Sequence, residues 1–116
     1  MEKTIEIICK ALSDKKGVMI KILNVRGLTS IADYFVLSST MNKKQAQAAA
    51  DEVEEKLKEI GVSPLRKEGY REGDWILLDF GDVVVHIFTD QERTHYDFDT
   101  LWKDAPIQNY TDSDEK

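Results

Sequence analysis

Hydrophobic positions along this chain fall into two rhythms, and they divide it into helices and strands. Ile5, Ile8 and Leu12 recur at helical spacing behind Thr4, so residues 4 to 12 read as a short amphipathic helix, closed by Lys15, Lys16 and Gly17. VMIKILNV (18 to 25) and DYFVLSS (33 to 39) are rich in β-branched and aromatic residues and predict two strands around the loop RGLTSIA. Ala46, Ala49, Ala50, Val53, Leu57 and Ile60 then trace one face of a helix that Asn42 and Gln45 open as a variant capping box and Gly61 ends. Its polar face pairs Glu52 with Lys56 and Glu54 with Lys58.

PLRKEGY (64 to 70), WILLDF (75 to 80) and VVVHIF (83 to 88) predict three more strands, the last two joined as an antiparallel hairpin through Gly81-Asp82. Thr89 and Glu92 form another capping pair, and Phe98, Leu101 and Trp102 give a final helix its apolar edge. From Asp104 the chain is acidic with little to bury. The expected organisation is therefore a single domain over residues 1–104 and a flexible acidic tail over 105–116. The expected class is α/β, a mixed five-stranded sheet with about three helices. Alternation along WILLDF places Trp75, Leu77 and Asp79 on one side and Ile76, Leu78 and Phe80 on the other. Both sides are largely apolar, and three helices cannot cover both faces of such a sheet, so part of one face is left for a partner.

Composition narrows the partner. In 116 residues, 41% hydrophobic and 33% charged, no apolar run reaches membrane-spanning length and the N-terminus has no secretory pattern, which predicts the cytoplasm. The formal charge of −6 disfavours phosphate and favours a basic surface, so direct DNA binding is not expected and a basic protein is.

Candidate chemistry is sparse. His86 lies within a strand, where the plainer reading is a half-buried histidine bonded to a neighbour. His95 falls on the last helix, where packing is the plainer reading. They stand nine positions apart, and Cys9 is the sole cysteine, so neither a zincin pattern nor a thiolate site forms and no metal is expected. Asp79-Phe80-Gly81 spells a kinase magnesium triplet, but the rest of that machinery is absent and a hairpin turn explains it. Asp97 and Asp99, two apart on a helix, diverge. Trp75 can be core or an interface anchor, and aromatic residues are enriched among interface hot spots.

Taken together, ADYFVLSS (32 to 39), the alanine-rich helix 46 to 61, EGY (68 to 70), WILLDFGDVVVHIF (75 to 88), ERTHYDFDTLW (92 to 102) and DAP (104 to 106) resemble the Iojap family of ribosomal silencing factors, RsfS. The resemblance spans roughly residues 4–106. It implies a nucleotidyltransferase-like fold without catalytic residues or cofactor. It also implies binding to large-subunit ribosomal protein number fourteen, a steric block to subunit joining, and a homodimer when free. Carried over by position, Glu68, Tyr70, Trp75, Leu77 and Asp79 are the implied contact residues, with the indole standing in solvent and the acids meeting basic groups. His86 and Tyr96 match family positions and are assigned to structure or to the margin of that surface. Thr40 stands where the family often has glycine, and Phe98-Asp99 where it often has leucine-glutamate. The rival reading is a nucleotidyltransferase-like or metal-dependent enzyme using His86, His95 and nearby carboxylates; a third is an adaptor with a partner other than the ribosome.

Overall fold

The structure is a computed structural model describing residues 2–111. The chain forms α1 (Glu2–Asp14), β1 (Val18–Asn24), β2 (Tyr34–Thr40), α2 (Lys43–Lys58), β3 (Arg66–Glu68), β4 (Trp75–Asp79) and β5 (Val83–Thr89). These are followed by α3 (Asp90–Tyr96), α4 (Phe98–Leu101) and β6 (Ile107–Asn109). The strands make one mixed sheet in the order β3-β4-β5-β2-β1-β6. Among the described strands only the central β2–β5 pair is parallel, and α2 with the β3–β4 ribbon provides the long connection that a parallel pair requires.

The single α/β domain agrees with the sequence reading, with two corrections. The sheet has a sixth strand, because the segment expected to be a flexible tail from residue 105 supplies β6. Its residues pair with Lys21, Ile22 and Leu23, and it is flanked by bonds from Asn24 N to the Pro106 carbonyl (2.9 Å) and from Tyr110 N to the Ile20 carbonyl (3.0 Å). The outer edge of β1 needs donors and acceptors whatever side chains provide the backbone. Residues 112–116 of that expected tail lie outside the described residues. The second correction concerns the last helix, which is two short helices. Asp97 adopts the left-handed conformation (φ 51, ψ 45), and its carboxylate accepts a bond from Thr100 Oγ1 at 2.8 Å, an arrangement that ends one helix and begins the next.

Local signals explain the long helix. Gln45 N donates to Asn42 Oδ1 (2.9 Å) and Met41 N donates to Gln45 Oε1 (2.8 Å), so the expected cap forms with its return bond one residue upstream. Ala46, Ala49 and Ala50 are fully buried, as their small size allows. Glu52 and Lys56 pair at 4.0 Å, whereas Glu54 reaches across to Lys67 (2.7 Å) rather than along the helix.

Two cores result. Ile8 and Leu12 of α1 and Val53 and Leu57 of α2 pack on the sheet face carrying Val36, Ile76, Leu78, Val85 and Ile87. On the other face, Leu23, Phe35, Leu37, Val84 and Phe88 are closed over by Phe98 and Ala105, with Trp102, Trp75 and Leu77 at the margin. The second cover is much smaller than the first, and it lies over β2 and β5. The β3–β4 end of that face is left open.

Candidate partner-binding site

The open end is assembled by strand register. On β4, Ile76 and Leu78 are buried while Trp75, Leu77 and Asp79 are half-buried. Leu77 lies opposite Glu68 of β3 and His86 of β5; Asp79 lies opposite Arg66 and Val84; Trp75 lies opposite Phe88. Directly opposed residues share a face. Glu68, Trp75, Leu77 and Asp79 are thus brought together as expected, with Arg66 added.

Tyr70 is not part of this surface. Its ring packs against the α1–α2 core, its hydroxyl donates to Asp51 Oδ2 (3.0 Å), and its carbonyl accepts from Gln47 Nε2 (2.8 Å). The reason is Gly69, with φ 77: the chain turns sharply after Glu68, and a Cβ there would collide with the Trp75 carbonyl oxygen. Tyr70 is therefore carried to the helical side of the sheet.

The acids also differ from expectation. Arg66 Nη1 sits 2.9 Å from Glu68 Oε2, and Arg66 Nε donates to Asp79 Oδ2 at 3.4 Å. Asp79 Oδ1 accepts from Gly81 N at 2.8 Å, so the Asp-Phe-Gly triplet is a turn. The two carboxylates are partly neutralised within the chain rather than held free for a basic partner, because Arg66 stands beside both.

Trp75 is not free-standing. Its ring stacks on Phe88 (centroids 5.0 Å, 29°) and lies 5.0 Å from Tyr96, and its Nε1 donates to His86 Nδ1 at 3.1 Å. What remains open is the outer part of an anchored ring. Tyr96, 52% exposed, extends this aromatic surface along α3, and helical spacing alone does not bring it to Trp75.

His86 is 4% exposed and stands among Phe35 (4.9 Å) and Phe98 (4.7 Å). Burial pushes its pKa down to about 3, which keeps the imidazole neutral. With Nδ1 accepting, the proton belongs on Nε2, which has no hydrogen-bond partner among the described residues. His95 departs from the packing expected of it: it is exposed, edge-on to Tyr96 at 5.1 Å. The two histidines have separate environments, and among the described residues no three His, Cys, Asp or Glu side chains group as metal ligands would. Burial raises the Cys9 thiol to about 12.

One polar cluster has no sequence signal. Buried Arg93 donates to both Asp99 oxygens (3.1 and 3.0 Å), to the Met19 carbonyl (2.8 Å) and to Ser39 Oγ (3.0 Å), and Lys21 Nζ joins Asp99 at 2.8 Å. The bond from Arg93 leads the causes that hold Asp99 down at about 2. Contacts across 54 and 74 residues are set by the sheet and cannot be read from spacing.

The model of the family described as ribosomal silencing factor during starvation matches residues 1–116. This chain belongs to the RsfS family. A ribosomal silencing factor RsfS of Halalkalibacterium halodurans is 39% identical over 105 residues, covering 90% of each chain. The chloroplastic protein Iojap of Zea mays is 33% identical over 87% of this chain and 44% of its own length. A solved structure from Chromobacterium violaceum superposes with TM-score 0.85 at 36% identity, covering 89% of this chain and 86% of the other. One from Bacillus halodurans gives 0.83 at 34% identity, covering 95% and 100%. Membership in RsfS makes this a ribosomal silencing factor by descent, and no helix among the described residues is long and apolar enough to cross a membrane.

Proposed function

We propose that this chain represses translation in the bacterial cytoplasm by docking on the large ribosomal subunit, through its ribosomal protein number fourteen, where it obstructs joining of the small subunit. The step is steric and needs no bond to be made or broken. The observation that supports it most is the open β3–β4 end of the sheet. There Trp75 and Leu77 stay half-exposed at the margin of the second core, with Tyr96 beside them. Large aromatic rings with part of their surface already packed are the residues that dominate binding energy at interfaces. The net charge of −6 suits a basic partner, although Arg66 tempers the patch itself, so the charge acts as a long-range field. Self-association of the free protein through the same surface would compete with docking.

Co-sedimentation with purified large subunits tests this reading. The wild-type chain is expected to travel with them, and Trp75→Ala to lose about 2 kcal/mol of affinity, roughly 30-fold. Retention of full affinity by that variant would remove this surface from the account.

A further inference from the structure

The indole of Trp75 carries one polar atom, and its direction decides what the ring can offer a partner. Nε1–H points back into the protein, donating to Nδ1 of His86 at 3.1 Å. His86 is itself held from several sides: Phe35, Phe88 and Phe98 surround it at 4.9, 6.2 and 4.7 Å, and Leu37 and Leu77 flank it across the strands. A buried imidazole in such a cage has little freedom to turn, so its acceptor nitrogen is a fixed point.

We propose that His86 is the positioning residue for the Trp75 contact: its Nδ1 holds the indole N–H inward, so the ring meets its partner with an apolar outer edge. This rests on the docking surface proposed above and adds the chemistry of what meets it. Trp75 contacts aliphatic groups or a cation lying on the ring, not a carbonyl or carboxylate seeking the indole proton. Two physical gains follow. The N–H need not lose a water on docking, because it is satisfied beforehand. The ring, stacked on Phe88 and tied at its nitrogen, has already given up its rotamer freedom. The sequence points to a bonded histidine without naming its partner, since positions 75 and 86 meet through the β4–β5 register.

The test is a double-mutant cycle on the full chain, read by affinity for purified large subunits. His86→Phe keeps an aromatic ring and removes the acceptor; Trp75→Phe keeps an aromatic ring and removes the donor. Beside Trp75, His86→Phe is expected to weaken binding about 10-fold; in the Trp75→Phe background it is expected to cost less than about 2-fold, because the bond is already gone. The indole 15N–1H resonance of Trp75, assigned against Trp75→Phe, is expected to move in His86→Phe while that of Trp102 stays. Equal losses in both backgrounds, an unmoved Trp75 resonance, or unchanged affinity of His86→Phe would overturn the proposal.

Should His86→Phe fail to fold, replacing Trp75 with benzothienylalanine tests the same bond from the other end, since that ring keeps its shape and loses N–H. A loss of about 10-fold supports the proposal, and wild-type affinity overturns it. Trp75→Ala separates the two levels. If it binds normally the docking surface is wrong and the positioning role falls with it; if it binds poorly while the cycle is additive, the surface stands and the role of His86 fails.

Discussion

His86 and Trp75 are joined by one hydrogen bond at the open end of the sheet. A histidine between valine and isoleucine in a strand can be a base, a ligand or a satisfied core residue. Burial decides: its pKa of about 3 against an ordinary 6.5 keeps the ring neutral, with no change of charge near neutrality. The consequence is measurable. Between pH 6.5 and about 3 the unfolded chain binds a proton at this residue that the folded chain refuses, so stability is fully present above 6.5 and declines as pH falls through that window. Comparing urea midpoints at pH 7 and pH 4.5, the wild-type chain is expected to lose on the order of 2 kcal/mol more than His86→Phe does. Identical pH dependence in the two would contradict the assignment. Trp75 has its ring packed on one side against Phe88 and is only half-buried.

At the scale of elements, what was legible was what short-range chemistry encodes. The α2 cap, its alanine face and the β4–β5 hairpin each follow from residues within a few positions of one another, and all are present. The misses have two causes, dependence on distant chain for β6 and backbone turns without apolar signal at Gly69 and Asp97. β6 has three exposed residues and no apolar alternation, and exists because β1 offers it an edge. The break at Asp97 is held by the Thr100 bond and spanned by the Arg93–Asp99 pair, within a stretch whose apolar spacing continues across it. Tyr70 leaves the face that carries Trp75 because Gly69 turns the strand, and a side chain there would collide with the nearby Trp75 carbonyl. Gly69→Ala is accordingly expected to cost about 2 kcal/mol of stability, from a left-handed backbone and a backbone collision together. Since that collision is with Trp75 itself, affinity for large subunits should drop as well. Unchanged urea unfolding would show that the turn has more freedom than this geometry allows.

The described chain is a sheet with unequal covers, α1 and α2 on one face and the smaller α3–α4 segment on the other, and the difference leaves the β3–β4 end of that second face open. Its C-terminal segment belongs to that architecture. Ala105 is buried, the Pro106 carbonyl bonds Asn24, and β6 closes the β1 edge. Truncation after Asp104 is therefore expected to lower stability by about 2 kcal/mol, a fall of roughly 10 °C in Tm by calorimetry. An unaltered Tm would mean that these contacts contribute nothing. The charge of −6 is likewise a property of the whole chain, and salt is expected to weaken the proposed docking on a basic partner.

In the docking proposed here, the half-open Trp75 surface holds this factor to the ribosome, and one titration decides whether it does. Purified large subunits are titrated with the wild-type chain and with Trp75→Ala at matched salt, and the bound fraction is read by sedimentation. Saturable wild-type binding with a loss of roughly 30-fold in the variant is the predicted result. Superimposable curves for the two proteins would contradict it.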